Sequence, residues 1–175
     1  MDSGSAYPRI AAPGTLQLVV GHRRSDRSGG SPEKDRSVPM DGARDDNGNA
    51  DGRRAVLVVD DEDDIRETLA EILEIAGYSV DTATSGLDGL ARLGARDYHA
   101  VISDVSMPGM NGMEFYRHLA RGNTALETRF VLVTGDSLGG AVRQFLDETG
   151  VPCIEKPFAP DEVRRVLAAR LGPPR

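Results

Sequence analysis

The chain has 175 residues, room for about one ordinary domain, with 39% hydrophobic side chains and a net charge of −7. Residues 1–52 carry 7 basic and 8 acidic side chains, leaving 14 basic and 20 acidic (−6) for residues 53–175, an acidic body without the basic, aromatic-interleaved patch that would attract nucleic acid directly. One cysteine, Cys153, excludes an internal disulfide and a cysteine-rich metal site, and no apolar run approaches the roughly 18 to 20 residues that span a bilayer.

The N-terminus lacks the basic-then-apolar order of a secretion signal, so a cytoplasmic protein with no membrane partner is expected. Residues 1–52 hold eight of the 20 glycines and alternate Gly, Ser, Pro, Asp and Arg without lasting periodicity. Such a leader is expected to stay disordered, because it buries too little apolar surface to offset the entropy of ordering. Its exception is Leu16-Gln17-Leu18-Val19-Val20, a candidate short strand or docking segment. A start codon placed too far upstream would also produce a leader of this kind.

From Ala55 the pattern changes. Ala55–Val59 (AVLVV) is continuous and β-branched, as in a strand covered on both faces, and it ends in acid. Ile65, Leu69, Ile72, Leu73 and Ala76 share one helical face, and Gly77 supplies the stop. A short strand follows at Ser79–Thr82, then a helix marked by Leu87, Leu90, Ala91 and Leu93, and a third strand at Ala100–Ser103. Met113, Tyr116, Leu119 and Ala120 form the next helical face, and Phe130–Val133 (FVLV) the fourth strand. Leu138, Ala141, Val142, Phe145 and Leu146 suit a fourth helix closed by Gly150. Val151–Ile154 is a weaker fifth strand, before a last helix with Val163, Val166, Leu167 and Leu171 inward. Five strands alternating with five helices predict an α/β fold, a parallel sheet with helices on both faces and right-handed crossovers. In such sheets ligands bind outside the carboxyl ends of the strands, where strand order reverses.

Those ends carry the chemistry. They read Val59-Asp60-Asp61-Glu62, Ser103-Asp104, Val133-Thr134-Gly135-Asp136 and Ile154-Glu155-Lys156-Pro157-Phe158. A lone Asp after a strand is most often a loop or cap carboxylate. Parallel strands, however, would bring Asp60, Asp61, Asp104, the Thr134 hydroxyl and the Lys156 ammonium to one edge. Oxygen donors at this density suit a hard cation, Mg²⁺ or Mn²⁺ in its place. With three carboxylates at −3, the metal at +2 and Lys156 at +1, the site sums to zero and can admit a dianionic phosphoryl group. Asp104 then attacks phosphorus while the metal, Lys156 and Thr134 stabilise charge on the equatorial oxygens, giving an aspartyl phosphate.

The segments VLVVDDE at 56–62, SDVSMPGMNG at 103–112, VLVTGD at 131–136 and EKPF at 155–158 resemble the receiver domain of two-component response regulators. The resemblance covers about residues 54–171 and implies the flavodoxin-like (βα)5 receiver fold, strand order 2-1-3-4-5. It gives Asp104 the phosphoacceptor role and Asp60 and Asp61 the acidic metal pair, with Asp61 as direct ligand. Ser106 would lend its backbone carbonyl to the metal, Thr134 and Lys156 would contact the phosphoryl oxygens, and Lys156-Pro157 would be cis. It also implies a histidine kinase or histidine phosphotransfer protein as donor and a downstream partner protein as reader. The chain departs from the pattern at Cys153, where receivers often carry a Tyr or Phe ring that swings inward on activation. ETGVPCIEKPF at 148–158 looks more like receivers of hybrid kinases or relays than like those fused to DNA-binding domains.

Other residues have plainer readings. Asp63 or Asp64 is expected to cap the first helix, Met107 and Met110 to pack, and Cys153 to be a small buried core residue. His22, His99 and His118 are too scattered for a phosphohistidine or metal role, while Asp136 and Ser106 flank the site and, by resemblance, tune attack of water. The domain division expected is a leader at 1–52, a receiver at 53–172 and a tail at 173–175, with no output domain after the last helix. Two other functions compete. A small phosphatase or phosphotransferase with an Asp nucleophile is disfavoured because the nucleophile lies on strand three and no capping domain is present. A phosphorylation-independent interaction module is disfavoured because acidic pair and lysine are both kept.

Overall fold

The computed structural model describes residues 52–122, 124–135 and 139–172. In chain order these form β1 (Ala55–Val59), α1 (Asp63–Ile75), β2 (Ser79–Ala83), α2 (Gly86–Ala95), β3 (Ala100–Asp104), α3 (Gly112–Ala120), α4 (Thr124–Glu127), β4 (Phe130–Thr134), α5 (Gly140–Thr149), β5 (Cys153–Glu155) and α6 (Pro160–Leu171). The leader, with Leu16–Val20 and His22, falls outside the described residues apart from Gly52, as do Asp136, Leu138 and the tail at 173–175.

The five strands form one parallel sheet in the order β2-β1-β3-β4-β5, as expected. Alternate side chains leave opposite faces of a strand. Leu57 and Val59 therefore join Val101 and Leu132 in one core, with Leu90 of α2, Phe115 and Leu119 of α3, Leu126 of α4 and Phe145 of α5. Val56, Val58, Ile102, Val131 and Val133 join a second core under Leu69, Ile72 and Leu73 of α1 and Val163 and Leu167 of α6. Burial on both faces explains why β1, β3 and β4 read as continuous apolar runs. Among the described residues, no helix is long and apolar enough to cross a membrane.

The structure corrects several details. Six helices are present among the described residues instead of five: α4 has four residues, too short for periodicity to register, yet it seats Leu126 in the core. Leu87 is 51% exposed and Ala91 is also exposed, because α2 faces the sheet through Gly86, Gly89 and Leu90. A Cβ on Gly86 would lie 2.9 Å from Met110, so this close approach depends on the glycine. Ala141 is exposed as well, leaving Phe145 as the buried anchor of α5. The fifth strand begins at Cys153 instead of Val151, since Pro152 has no N–H to donate and contributes only its carbonyl, to Leu132 N. Neither Asp63 nor Asp64 caps α1. Glu62 occupies the cap position without a side-chain cap bond, and the two aspartates lie in the first turn, where the helix dipole favours them. Met107 and Met110 are buried, as their packing role requires.

Candidate functional site

Parallel register sets the site. Val59 lies beside Ser103, Asp104 beside Val133, and Thr134 beside Glu155, so the residues ending or following these strands share one edge. Asp60, Asp104 and Thr134 are all buried there, at 1%, 4% and 2% exposure. Charged groups are almost never buried this far unless paired.

The turn after β3 fixes Asp104. Val105 N–H extends the pairing to Val133 O (2.8 Å), and Gly112 N–H returns to Val105 O (3.0 Å). Ser106 N–H donates to Asp104 Oδ2, holding the carboxylate in place. A Cβ on Gly112 would fall 2.3 Å from the Asp104 carbonyl oxygen and 2.9 Å from Leu132, so only glycine lets α3 start against the end of β3. Asn111 and Glu114 close a capping box around that start, satisfying two otherwise free N–H groups.

Lys156 follows β5 after a backbone bond from its N–H to Thr134 O (2.7 Å), and the Lys156-Pro157 peptide is cis. Its ammonium lies 2.8 Å from Asp104 Oδ1, 3.1 Å from Asp60 Oδ2 and 3.1 Å from Glu62 Oε1. Burial works to lower the Lys156 pKa, but the bonds to Asp104, Glu62 and Asp60 outweigh it and hold the group well above the ordinary lysine range. For Asp60 burial wins, raising its pKa despite the Glu62 N–H and Lys156, which favour the anion; the nearby Asp104 charge adds to the rise. Three carboxylates (−3) around one ammonium (+1) leave this cluster at −2.

Of the residues singled out in sequence, the structure thus gathers Asp60, Asp104 and Lys156 into direct contact and buries Thr134 at the same edge. Asp61 is exposed and takes no part in these ion pairs. Among the described residues no three His, Cys, Asp or Glu side chains are gathered as a ready metal cage; Asp60 and Asp104 both face the ammonium. Two participants had no assigned role. Glu62 reaches Lys156, and Arg66 Nη1 donates to the Asp60 carbonyl at 3.0 Å, anchoring the start of α1 on the site. Glu62 directly follows the acidic pair and Arg66 lies one helical turn further on, a spacing that puts both at the start of α1 without revealing the contact with Lys156.

Cys153 is half-buried against the core containing Phe130, Phe145 and Tyr116. Burial, with the Glu155 and Asp104 carboxylates adding, pushes its thiol up to about 11. His99 is structural: its Nδ1 accepts from Ala55 N–H at 2.9 Å, at the opposite end of the strands.

A family model described as the response regulator receiver domain matches residues 56–168. The chain belongs to the response regulator receiver family. It is 35% identical over 116 residues, 66% of this chain, to the C4-dicarboxylate transport transcriptional regulatory protein DctD of Rhizobium meliloti. It is 36% identical over 121 residues, 67% of this chain, to the response regulator MprA of Mycobacterium sp. (strain KMS). The chain spans about half the length of MprA (52%) and about a quarter of DctD (24%). Its fold is similar to that of the response regulator TrrA of Thermotoga maritima, crystallised in complex with Mg²⁺-BeF, with TM-score 0.60, 31% identity and coverage of 67% of this chain and 99% of TrrA. This receiver is a signalling domain and not a classical enzyme, and domains of its family partner with histidine kinases.

Proposed function

We propose that this receiver accepts a phosphoryl group on Asp104 from a sensor histidine kinase or a histidine phosphotransfer protein, and signals or relays it to a partner protein. The observation that carries the reading is the Lys156 ammonium held 2.8 Å from a buried strand-end carboxylate that is fixed on its other oxygen by Ser106 N–H. A carboxylate so held is a pre-positioned nucleophile, and the ammonium is placed to meet charge that develops on the arriving phosphoryl oxygens. The bond from an Asp104 oxygen to phosphorus forms as the phosphorus–nitrogen bond of the donor histidine breaks and the imidazole leaves. Thr134, buried at the end of β4, supplies a hydroxyl for one equatorial oxygen. Residues 53–172 are the unit assigned to this work.

The donor chemistry fits Mg²⁺. Asp60, Asp61, Asp104 and the Ser106 carbonyl are hard oxygen donors, and the −2 cluster lacks a divalent cation's worth of positive charge. When bound, the ion would neutralise carboxylate and phosphoryl oxygens. TrrA, crystallised with Mg²⁺ and a beryllium fluoride, a chemical analogue of a phosphoryl group, supports the same assignment.

The test is intact mass after incubation with acetyl phosphate. One hydroxylamine-labile phosphoryl group is expected with Mg²⁺, and none with chelator or in Asp104→Asn. Continuous phosphate release from sugar phosphates would favour the phosphatase reading instead.

A further inference from the structure

We infer that Glu62 is a positioning residue that latches the Lys156 ammonium in the unphosphorylated receiver and releases it to an arriving phosphoryl group. The inference rests on the phosphoacceptor reading of Asp104. An ammonium has three N–H donors. In this structure three carboxylates surround it, Asp104 at 2.8 Å and Asp60 and Glu62 at 3.1 Å, so all three donors are committed. A phosphoryl oxygen can be met by Lys156 only if one partner lets go.

Burial decides which. Asp60 and Asp104 are 1% and 4% exposed, and removing the ammonium from either leaves a buried charge without its counter-ion. Glu62 is 63% exposed, so water replaces its bond to Lys156 at little cost. Of the three carboxylates on the ammonium, Glu62 is the one most open to solvent. The Glu62 backbone is fixed while its side chain is free to swing: its N–H is bonded to Asp60 Oδ1 at 2.9 Å and its carbonyl accepts Arg66 N–H at 3.0 Å as α1 begins. Release therefore needs a rotamer change only, with no movement of the helix.

The latch has two consequences. It keeps Lys156 ordered before the donor arrives, and it sets a small barrier to phosphorylation, since the Glu62–Lys156 contact must break before the ammonium can reach the incoming group. Neutralising Glu62 should weaken the hold and speed the transfer.

The chain contains only two lysines, Lys34 and Lys156, so ¹⁵N-lysine labelling yields two ammonium signals. The Lys156 signal, assigned by its loss in Lys156→Met, should exchange with water faster in Glu62→Gln than in the wild-type chain, while Glu62→Asp retains part of the protection. With acetyl phosphate and Mg²⁺, Glu62→Gln should raise the initial labelling rate by about two- to five-fold, the size expected of a partly exposed ion pair. Asp64→Asn removes the same charge from the exposed first turn of α1 without touching Lys156, and should leave the rate near wild type. An unchanged ammonium signal in Glu62→Gln, an unchanged or slower rate, or an equal acceleration by Asp64→Asn overturns the latch. Wild-type protein that takes no phosphoryl group at all instead overturns the phosphoacceptor reading, while the ammonium signals still report whether Glu62 holds Lys156.

Discussion

The Lys156 ammonium reaches from the end of β5 past β4 to lie 2.8 Å from Asp104 Oδ1 at the end of β3, tying three strands together at one buried point. The contact has a stability consequence separate from phosphorylation. Lys156→Met keeps the length of the side chain but strands Asp60 and Asp104 as buried carboxylates without a cation. Chemical denaturation should show a loss of about 3 kcal/mol, typical of breaking one side of a buried ion pair. Adding Asp60→Asn to that variant should recover part of the loss. No recovery would mean that the carboxylates are not repelling each other.

Asp60 makes the site pH-dependent. Its pKa is raised in the fold, mainly by burial, above the ordinary 3.8. The folded state therefore binds this proton more tightly than the unfolded chain, so stability falls as pH rises through the folded pKa and the penalty is relieved as pH falls toward the unfolded one. In chelator at pH 7, Asp60→Asn should be more stable than wild type, because it removes the buried charge while Lys156 keeps the carboxylates of Asp104 and Glu62. The gap should close toward pH 4. Thermal melts across that range would contradict the account if Asp60→Asn were the less stable at pH 7, or if the gap did not change with pH.

Two glycines should fail differently. Gly112→Ala places a Cβ 2.3 Å from the Asp104 carbonyl oxygen, and backbone cannot yield cheaply, so a loss of about 2 to 3 kcal/mol and a slower phosphorylation are expected together. Gly150→Ala meets nothing within 4 Å but sits at φ 67° in the left-handed cap of α5. It should cost about 1 kcal/mol and leave phosphorylation alone. Paired measurements of melting and initial labelling rate separate the two.

Much of this arrangement is legible in the chain because it is written in contiguous pieces. Each strand is a short apolar run, and each site residue stands at or just beyond the end of one, so β-α alternation is enough to bring Asp60, Asp104, Thr134 and Lys156 to the same edge. What escapes is carried by side-chain reach or by absent side chains. Glu62 meets Lys156 across a separation of 94 residues, which no local pattern encodes. The inner face of α2 is made by Leu90 with Gly86 and Gly89, whose value lies in letting Met110 and Phe115 come close, so an apolar-periodicity reading finds Leu90 but adds the exposed Leu87 and Ala91. Phe115 is fully buried and packs edge-on against Phe130 with ring centroids 5.8 Å apart, yet it falls one position off the helical face drawn through Met113 and Tyr116.

Cys153 should be chemically quiet. With its thiol pushed up to about 11, little of it is thiolate at pH 8. Titration with a disulfide reagent at that pH should be slow in native protein and complete in denaturant. Fast native reaction would show that the segment before Lys156 opens readily.

The central claim is that Asp104 is the nucleophile. Borohydride reduction of protein treated with acetyl phosphate and Mg²⁺ converts an aspartyl phosphate to homoserine, which peptide mass spectrometry then locates. Homoserine at position 104 alone is the result predicted. Homoserine at position 60 or 61, or a phosphoryl group retained with position 104 unmodified, would contradict it.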